Sequence, residues 1–148
     1  MEEGELLLSV AVRLNRTESI ILSKLDIPLT FRQYRTLTRV AAGCTSPSQL
    51  AAVSNLSLPA ISENVDALVR RGLMTSTAST TDRRAVVLDV TEAGRRAAED
   101  GRRAIGSFTE ALLAGMPARR RAALDLSLRE IYDTATEYLL ELVGSAEN

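Results

Sequence analysis

Residues 73–90 break from the repeat of three or four that the chain shows on either side. Leu73 to Ser79 is Thr-rich. Thr80-Thr81-Asp82-Arg83 is polar and turn-like, and Val86, Leu88 and Val90 then alternate with Val87 and Asp89. Alternating β-branched and apolar residues suit a pleated surface buried on one side, so this stretch reads as a two-stranded hairpin. Its turn has no Asn-Gly or Asp-Gly pair, which predicts a loop longer than two residues.

Helical periods flank the hairpin. From Glu5 to Leu25, Leu7, Ala11, Leu14, Ile21 and Leu25 follow one helical face, with Glu18 interrupting it. Asp26-Ile27-Pro28 ends that helix, because proline cannot continue the hydrogen-bond ladder. Thr30 can cap a second helix to about Ala42, carrying Tyr34, Leu37 and Val40 or Ala41 inward, and Gly43 ends it. Ser46-Pro47-Ser48-Gln49 is a third start, with Ser46 as cap, Pro47 in the first helical position and Gln49 reaching back. This short helix carries Leu50, Ala51 and Val53. After a turn at Ser54-Asn55-Leu56, Ser57 can cap a helix with Leu58, Ile61, Val65, Leu68 and Val69 on one face. Arg70-Arg71-Gly72 closes it with a cationic last turn and a glycine cap. Two short helices joined by so short a turn make a helix-turn-helix, and the hairpin follows where a wing would sit. Thr91 can cap a long helix from Glu92 to about Gly115, and Met116-Pro117 breaks it. The last helix, Ala118 to about Val143, carries Leu124, Leu128, Ile131, Ala135, Tyr138 and Leu142 as a stripe.

At 148 residues the chain suits one domain with its own core. With 3% aromatic residues and no Trp, that core must be aliphatic, which favours packed helices. The terminal helices have more apolar surface than the small central part can cover, which predicts a two-fold dimer. The net charge of −1 excludes a uniformly basic polyanion binder, so any nucleic-acid contact must come from local placement of charge. No histidine is present, which removes Cys/His zinc sites and His-based catalysis. There is also no metal-ligand cluster, Gly-rich phosphate loop or nucleophile–base pair, so no enzyme, cofactor or metal is expected. The lone Cys44 excludes an internal disulfide and fits a reducing compartment; in a helix–helix turn with no basic sequence neighbour, it reads as a packing residue. An acidic start, Met1-Glu2-Glu3-Gly4-Glu5, and the lack of an apolar run of about 20 residues predict a cytoplasmic protein with no membrane partner.

Several segments carry a family resemblance. Leu29-Thr30-Phe31-Arg32-Gln33-Tyr34-Arg35-Thr36-Leu37 resembles the second-helix signature of the MarR family of transcriptional regulators. Leu68-Val69-Arg70-Arg71-Gly72-Leu73 is similar to the end of its recognition helix. Asp82-Arg83-Arg84, followed by Val90-Thr91-Glu92-Ala93-Gly94, resembles its wing tip and fifth-helix start. The resemblance runs from about Leu6 to Leu142. It implies a mainly α fold: a winged helix-turn-helix with a small β-hairpin wing, and N- and C-terminal helices forming an intertwined dimerisation domain. Residues 1–29 and 115–148 would be the dimerisation helices, 30–92 the DNA-binding domain and 93–114 the connecting helix. The implied function is a homodimeric repressor that binds a pseudo-palindromic operator in double-stranded DNA and is weakened by a small molecule or oxidant.

On the expected recognition helix, Ile61, Val65 and Leu68 point inward. Pro59, Ala60 and Glu63 then face outward, flanked by Ser62 and Asn64. Ser62 and Asn64 can exchange hydrogen bonds with base edges, Ala60 can touch a thymine methyl, and Glu63 can accept from cytosine N4. Ser57 and the helix start can hold a phosphate, and Ser46 joins this DNA-facing set. By the resemblance, Arg84 enters the minor groove, Asp82 orients the wing through a charge-assisted hydrogen bond, and Arg83 touches backbone phosphate. The chain departs from the family at Glu63, where a basic or neutral polar residue is common, and at Ser76, where Arg is common. Asp66 adds a second negative charge on the recognition helix. These acids and the near-neutral charge motivate an alternative, a winged-helix protein-interaction module. The family's effector position implies Phe31, Arg32, Tyr34 and Arg35 as contacts for a small aromatic or anionic effector. Arg95-Arg96 and Arg102-Arg103 read as solvated helix faces.

Overall fold

In the computed structural model, which describes residues 2–54, 56–82 and 85–146, the order is α1 (Glu3–Ser23), α2 (Phe31–Ala41), α3 (Pro47–Ser54), α4 (Leu58–Arg70), β1 (Met74–Ala78), β2 (Val86–Val90), α5 (Glu92–Leu113) and α6 (Ala118–Ala146). Hydroxyl caps fix four of the starts. Thr30 Oγ1 accepts from the Gln33 amide while Gln33 Oε1 accepts from the Thr30 amide, a complete capping box on α2. At α3, Ser46 Oγ accepts from the Gln49 amide, but the Gln49 side chain reaches one residue further than expected, to the Thr45 amide. Ser57 Oγ accepts from Ala60 at the start of α4. Thr91 Oγ1 accepts from the Gly94 amide and donates to the Gly72 carbonyl at 2.7 Å, tying the start of α5 to the end of α4.

Two helix ends share one solution. Gly43 and Gly72 adopt φ of 112° and 70° after α2 and α4. The amides of Cys44 and Leu73 reach back to the carbonyls of Arg39 and Leu68, while those of Gly43 and Gly72 bond Val40 and Val69. This paired pattern satisfies last-turn carbonyls and needs the left-handed backbone glycine adopts without strain.

The hairpin is antiparallel, with Met74 opposite Val90 and Ala78 opposite Val86. Leu88 and Val90 are buried, whereas Val86, at the loop end, is exposed. The Leu88 amide donates to the Thr45 carbonyl at 2.8 Å, joining the hairpin to the residues before α3.

Leu22 of α1, Leu37 of α2, Leu50 of α3, Ile61 and Leu68 of α4, and Met74, Leu88 and Val90 of the hairpin are the largest fully buried side chains. Full burial of an aliphatic side chain of this size stabilises by about 1.5–3 kcal/mol. The buried face of α4 is narrower than the sequence stripe. Val69 lies about 100° around the helix from Leu68 and is exposed, and Leu58, in the first turn, extends beyond the core. On α1, of the expected face, Leu7, Ala11 and Leu14 are exposed and Ile21 half-buried; Leu22 is the one buried side chain of the helix. On α6 no described side chain is buried.

Packing divides the chain into two compact units, Met1–Ser107 and Phe108–Asn148. In the first, Gly94 of α5 lies so close to the hairpin base that a Cβ there would fall 2.0 Å from the Leu73 carbonyl oxygen. A Cβ on Gly101 would meet the Tyr34 ring at 3.0 Å. Within the second, Arg121 pairs with Glu110 at 2.9 Å. Among the described residues no helix is long and apolar enough to cross a membrane.

Candidate nucleic-acid interface

The caps that start α3 and α4 shape the chemistry of the expected DNA-facing surface. Ser46 and Ser57 each use an oxygen lone pair to accept from their own helix, which leaves the hydroxyl proton free to donate outward. Ser57 is exposed and Ser46 half-buried. Along α4, Pro59, Ser62 and Glu63 are exposed and Ala60 is half-buried, so this side of the helix carries no part of the core. A groove of about 380 Å³ runs beside it, with Thr30, Arg32 and Gln33 on one wall and Ala60, Glu63, Asn64 and Ala67 on the other. Glu63 and Asp66 are exposed and make no ion pair among the described residues.

Asn64 departs from its sequence assignment. Its side chain is only 8% exposed, and Nδ2 donates to Thr36 Oγ1 of α2 at 2.7 Å. Thr36 is itself buried, at 2% exposure. The amide that could have read a base edge is committed inside the fold, because an unpaired buried polar group is costly and each side chain supplies what the other lacks. Asn64 is therefore a strut between α4 and α2.

A second strut comes from Arg71, which the sequence presented only as part of a cationic last turn. Its Nη1 donates to Gln33 Oε1 at 2.9 Å and its Nη2 to the Pro28 carbonyl at 2.5 Å. Gln33 Oε1 thus accepts from both Thr30 and Arg71, so the α2 cap and the end of α4 share one acceptor.

On the hairpin loop, Ser79 Oγ accepts from the amides of Thr81 and Asp82, and Asp82 is exposed. Arg83 and Arg84, the expected phosphate and minor-groove contacts, lie outside the described residues. Ser76 is exposed on β1.

The four effector candidates separate. Phe31, Arg32 and Arg35 line a cleft of about 340 Å³ together with Thr36, Arg39, Ser54 and Leu56. Tyr34 is buried on another side of α2, against Gly101 and Leu22. Burial pushes its hydroxyl pKa up, and the nearby Glu18 carboxylate adds to the rise. Glu18 is half-buried on α1, and loss of water raises its own pKa against the lowering influence of Arg35. Sequence reasoning missed Arg39, Ser54 and Leu56. The three-then-four spacing of Arg32, Arg35 and Arg39 was the available signal for the first.

Several arginines elsewhere are ion-paired. Arg95 meets Asp89 at 3.2 Å, Arg102 meets Glu99 at 2.7 Å, Arg103 meets Asp100, and Arg129 meets Asp125 at 2.9 Å. These are exposed pairs, whose contribution to stability is small. Among the described residues no three His, Cys, Asp or Glu side chains gather into a metal-binding group. Cys44 is free and half-buried.

Comparison with known proteins places this geometry. Residues 29–86 match a family model described as the MarR family. No curated protein matches the chain. Among solved structures, the multiple antibiotic resistance repressor MarR is similar at 26% identity and a TM-score of 0.72, covering 88% of this chain and 95% of that one. A cysteine-to-serine variant of MarR from E. coli, crystallised with operator DNA, is similar at 25% identity and a TM-score of 0.72, covering 86% and 91%. FabT from Streptococcus pneumoniae, crystallised with DNA, has a TM-score of 0.82 at 21% identity, covering 90% and 95%.

Proposed function

From the match of residues 29–86 to the MarR family model, we propose that the chain is a MarR-type homodimeric transcriptional repressor acting in the cytoplasm on a pseudo-palindromic operator. One observation carries this reading. The side of α4 bearing Pro59, Ser62 and Glu63 has no core partner, starts from a capped N-terminus, and belongs to a helix braced from behind by Asn64 and Arg71. A braced helix with a free polar face at its N-terminal end suits insertion into a major groove. The capping serines add hydroxyl protons and helix-start amides for backbone phosphates. Arg84 supplies the minor-groove contact and Arg83 a phosphate contact, with Asp82 orienting the wing. Residues 1–29 and 115–148 form the dimerisation region, supported by exposed apolar side chains such as Leu8 and Val12 on α1 and Leu140 and Leu142 on α6. A small effector releases the operator.

The test is a fluorescence-anisotropy titration of DNA from upstream of the protein's own gene, repeated over a salt series. Specific binding that weakens with salt is expected, and binding indifferent to sequence at every salt concentration would overturn the reading. Arg84→Ala should weaken binding by about tenfold or more, a loss on the scale of one charge-assisted contact, whereas Arg103→Ala should leave it nearly unchanged. Equal effects would remove the wing's role. The exposed, unpaired Glu63 and Asp66 favour the second reading, a protein-interaction module; sequence-indifferent binding in this titration is its signature.

A further inference from the structure

Three arginines of α2 line one cleft with no carboxylate among its walls. Arg32, Arg35 and Arg39 share one helical face at steps of three and four, and none makes an ion pair among the described residues. All three line the cleft of about 340 Å³, whose other walls are Phe31, Thr36, Ser54 and Leu56. Arg39 is half-buried there, with Nη1 donating to Ser54 Oγ at 2.5 Å. Its pKa is lowered first by loss of water and then by the neighbouring Arg35 charge. Glu18 acts on Arg35 through space but makes no ion pair with it. Glu63 stands across the neighbouring groove from Arg32, but neither carboxylate lines the cleft, so the lining itself carries a positive excess.

We propose that this cleft binds a small phosphate monoester, a dianion with a compact apolar or aromatic body, and that this ligand is the effector; the effector role rests on the repressor reading, the binding does not. The charge excess matches a phosphoryl dianion better than a monocarboxylate. Planar guanidiniums present paired donors to phosphate oxygens, and partial burial strengthens each contact. Phe31 and Leu56 supply the apolar wall. The volume sits at the small end of the range for small-molecule sites, so the body is about one ring in size. A DNA backbone is a poorer occupant, because Arg39 is half-buried and already turned toward Ser54 within the cleft. Communication with α4 is short: Thr36 lines the cleft and also accepts the hydrogen bond from Asn64, while Ser54 ends α3. Ligand and operator should therefore weaken one another reciprocally.

Isothermal titration of the full chain without DNA tests the site, using phenyl phosphate, inorganic phosphate and benzoate at constant ionic strength. Saturable binding of phenyl phosphate is expected, with benzoate at least about tenfold weaker and inorganic phosphate intermediate. Arg39→Gln and, separately, Arg35→Gln should each lower phenyl phosphate affinity by about tenfold, with Arg103→Gln unchanged and circular dichroism confirming each fold. If Arg39→Gln does not fold, Arg35→Gln carries the test. No saturation, equal binding of benzoate, or an equal loss in Arg103→Gln would overturn the proposal. Failure of operator binding in the salt series leaves this titration intact, so the two readings fall separately.

Discussion

Gly94 shows how far one residue's identity can be dictated by a neighbour's backbone. A Cβ there would lie 2.0 Å from the Leu73 carbonyl oxygen and 2.7 Å from Val90 Cγ1, and the oxygen belongs to the main chain. Gly94→Ala should destabilise the protein by about 3 kcal/mol in urea denaturation, the upper end of overpacking costs. Gly106, on the same helix, has open space around it, so Gly106→Ala should stabilise by about 0.5–1 kcal/mol through helix propensity. Opposite signs on one helix are the expected result; matching signs would remove the close-approach argument. The family-like run Val90 to Gly94 was legible in the sequence, but the reason for its glycine was not, because it resides in an oxygen some twenty positions away. Glu18 behaves similarly. In sequence it is a polar break in an apolar stripe; in the fold, burial raises its pKa above the ordinary 4.5. A carboxyl held up in this way stabilises the fold while protonated, and that contribution is lost as pH rises from 4.5 through the raised value. Thermal melts of wild type and Glu18→Gln should therefore coincide in acid and separate toward neutrality, with the Gln variant the more stable. Parallel curves at every pH would rule the effect out.

Among the elements, α4 depends most on contacts the sequence concealed. Its start at Ser57 and its end at Gly72 were both legible, since caps are local signals written in a few adjacent residues. Its rotation about its own axis was not. A helical wheel puts Asn64 about 60° from Ile61, on the border between inside and outside, and an apolar stripe cannot say to which side a polar residue turns. The deciding factor was Thr36, 28 residues earlier. Removing that partner should be expensive: Thr36→Val leaves the Asn64 amide buried and unpaired, costing about 1–3 kcal/mol. Combining it with Asn64→Leu should recover part of the loss in a double-mutant cycle measured by urea denaturation. Strictly additive costs would mean that the two side chains do not act as a pair. Arg71 was misleading for the related reason that charge at a helix end looks the same in sequence whether it faces solvent or an acceptor on another element.

For the molecule as a whole, much of the apolar stripes that the sequence shows on α1 and α6 is exposed in one chain. Leu7 and Leu14 are 42% and 39% exposed, Leu128 51%, and Tyr138 and Leu142 66% and 67%. The boundary between the two compact units was not legible, because it falls inside α5, where helical periodicity continues without a break. On the proposed dimer reading, a second copy covers this surface. Light scattering during size exclusion should give twice the 16.0 kDa chain mass, and Ile131→Glu should shift it toward that of one chain. A variant mass equal to the wild type's would remove α6 from the interface. The joint at Thr91 has a mechanical consequence. One hydroxyl clamps the first turn of α5 to Gly72, and Gly94 seats that turn directly on the hairpin. From this fixed root the part of α5 inside the first unit, Glu92 to Ser107, runs for about 24 Å. Over that length a tilt of about 6° at the root becomes a displacement of about 2.5 Å at Ser107, so slight angular play at the clamp is geared up along the helix.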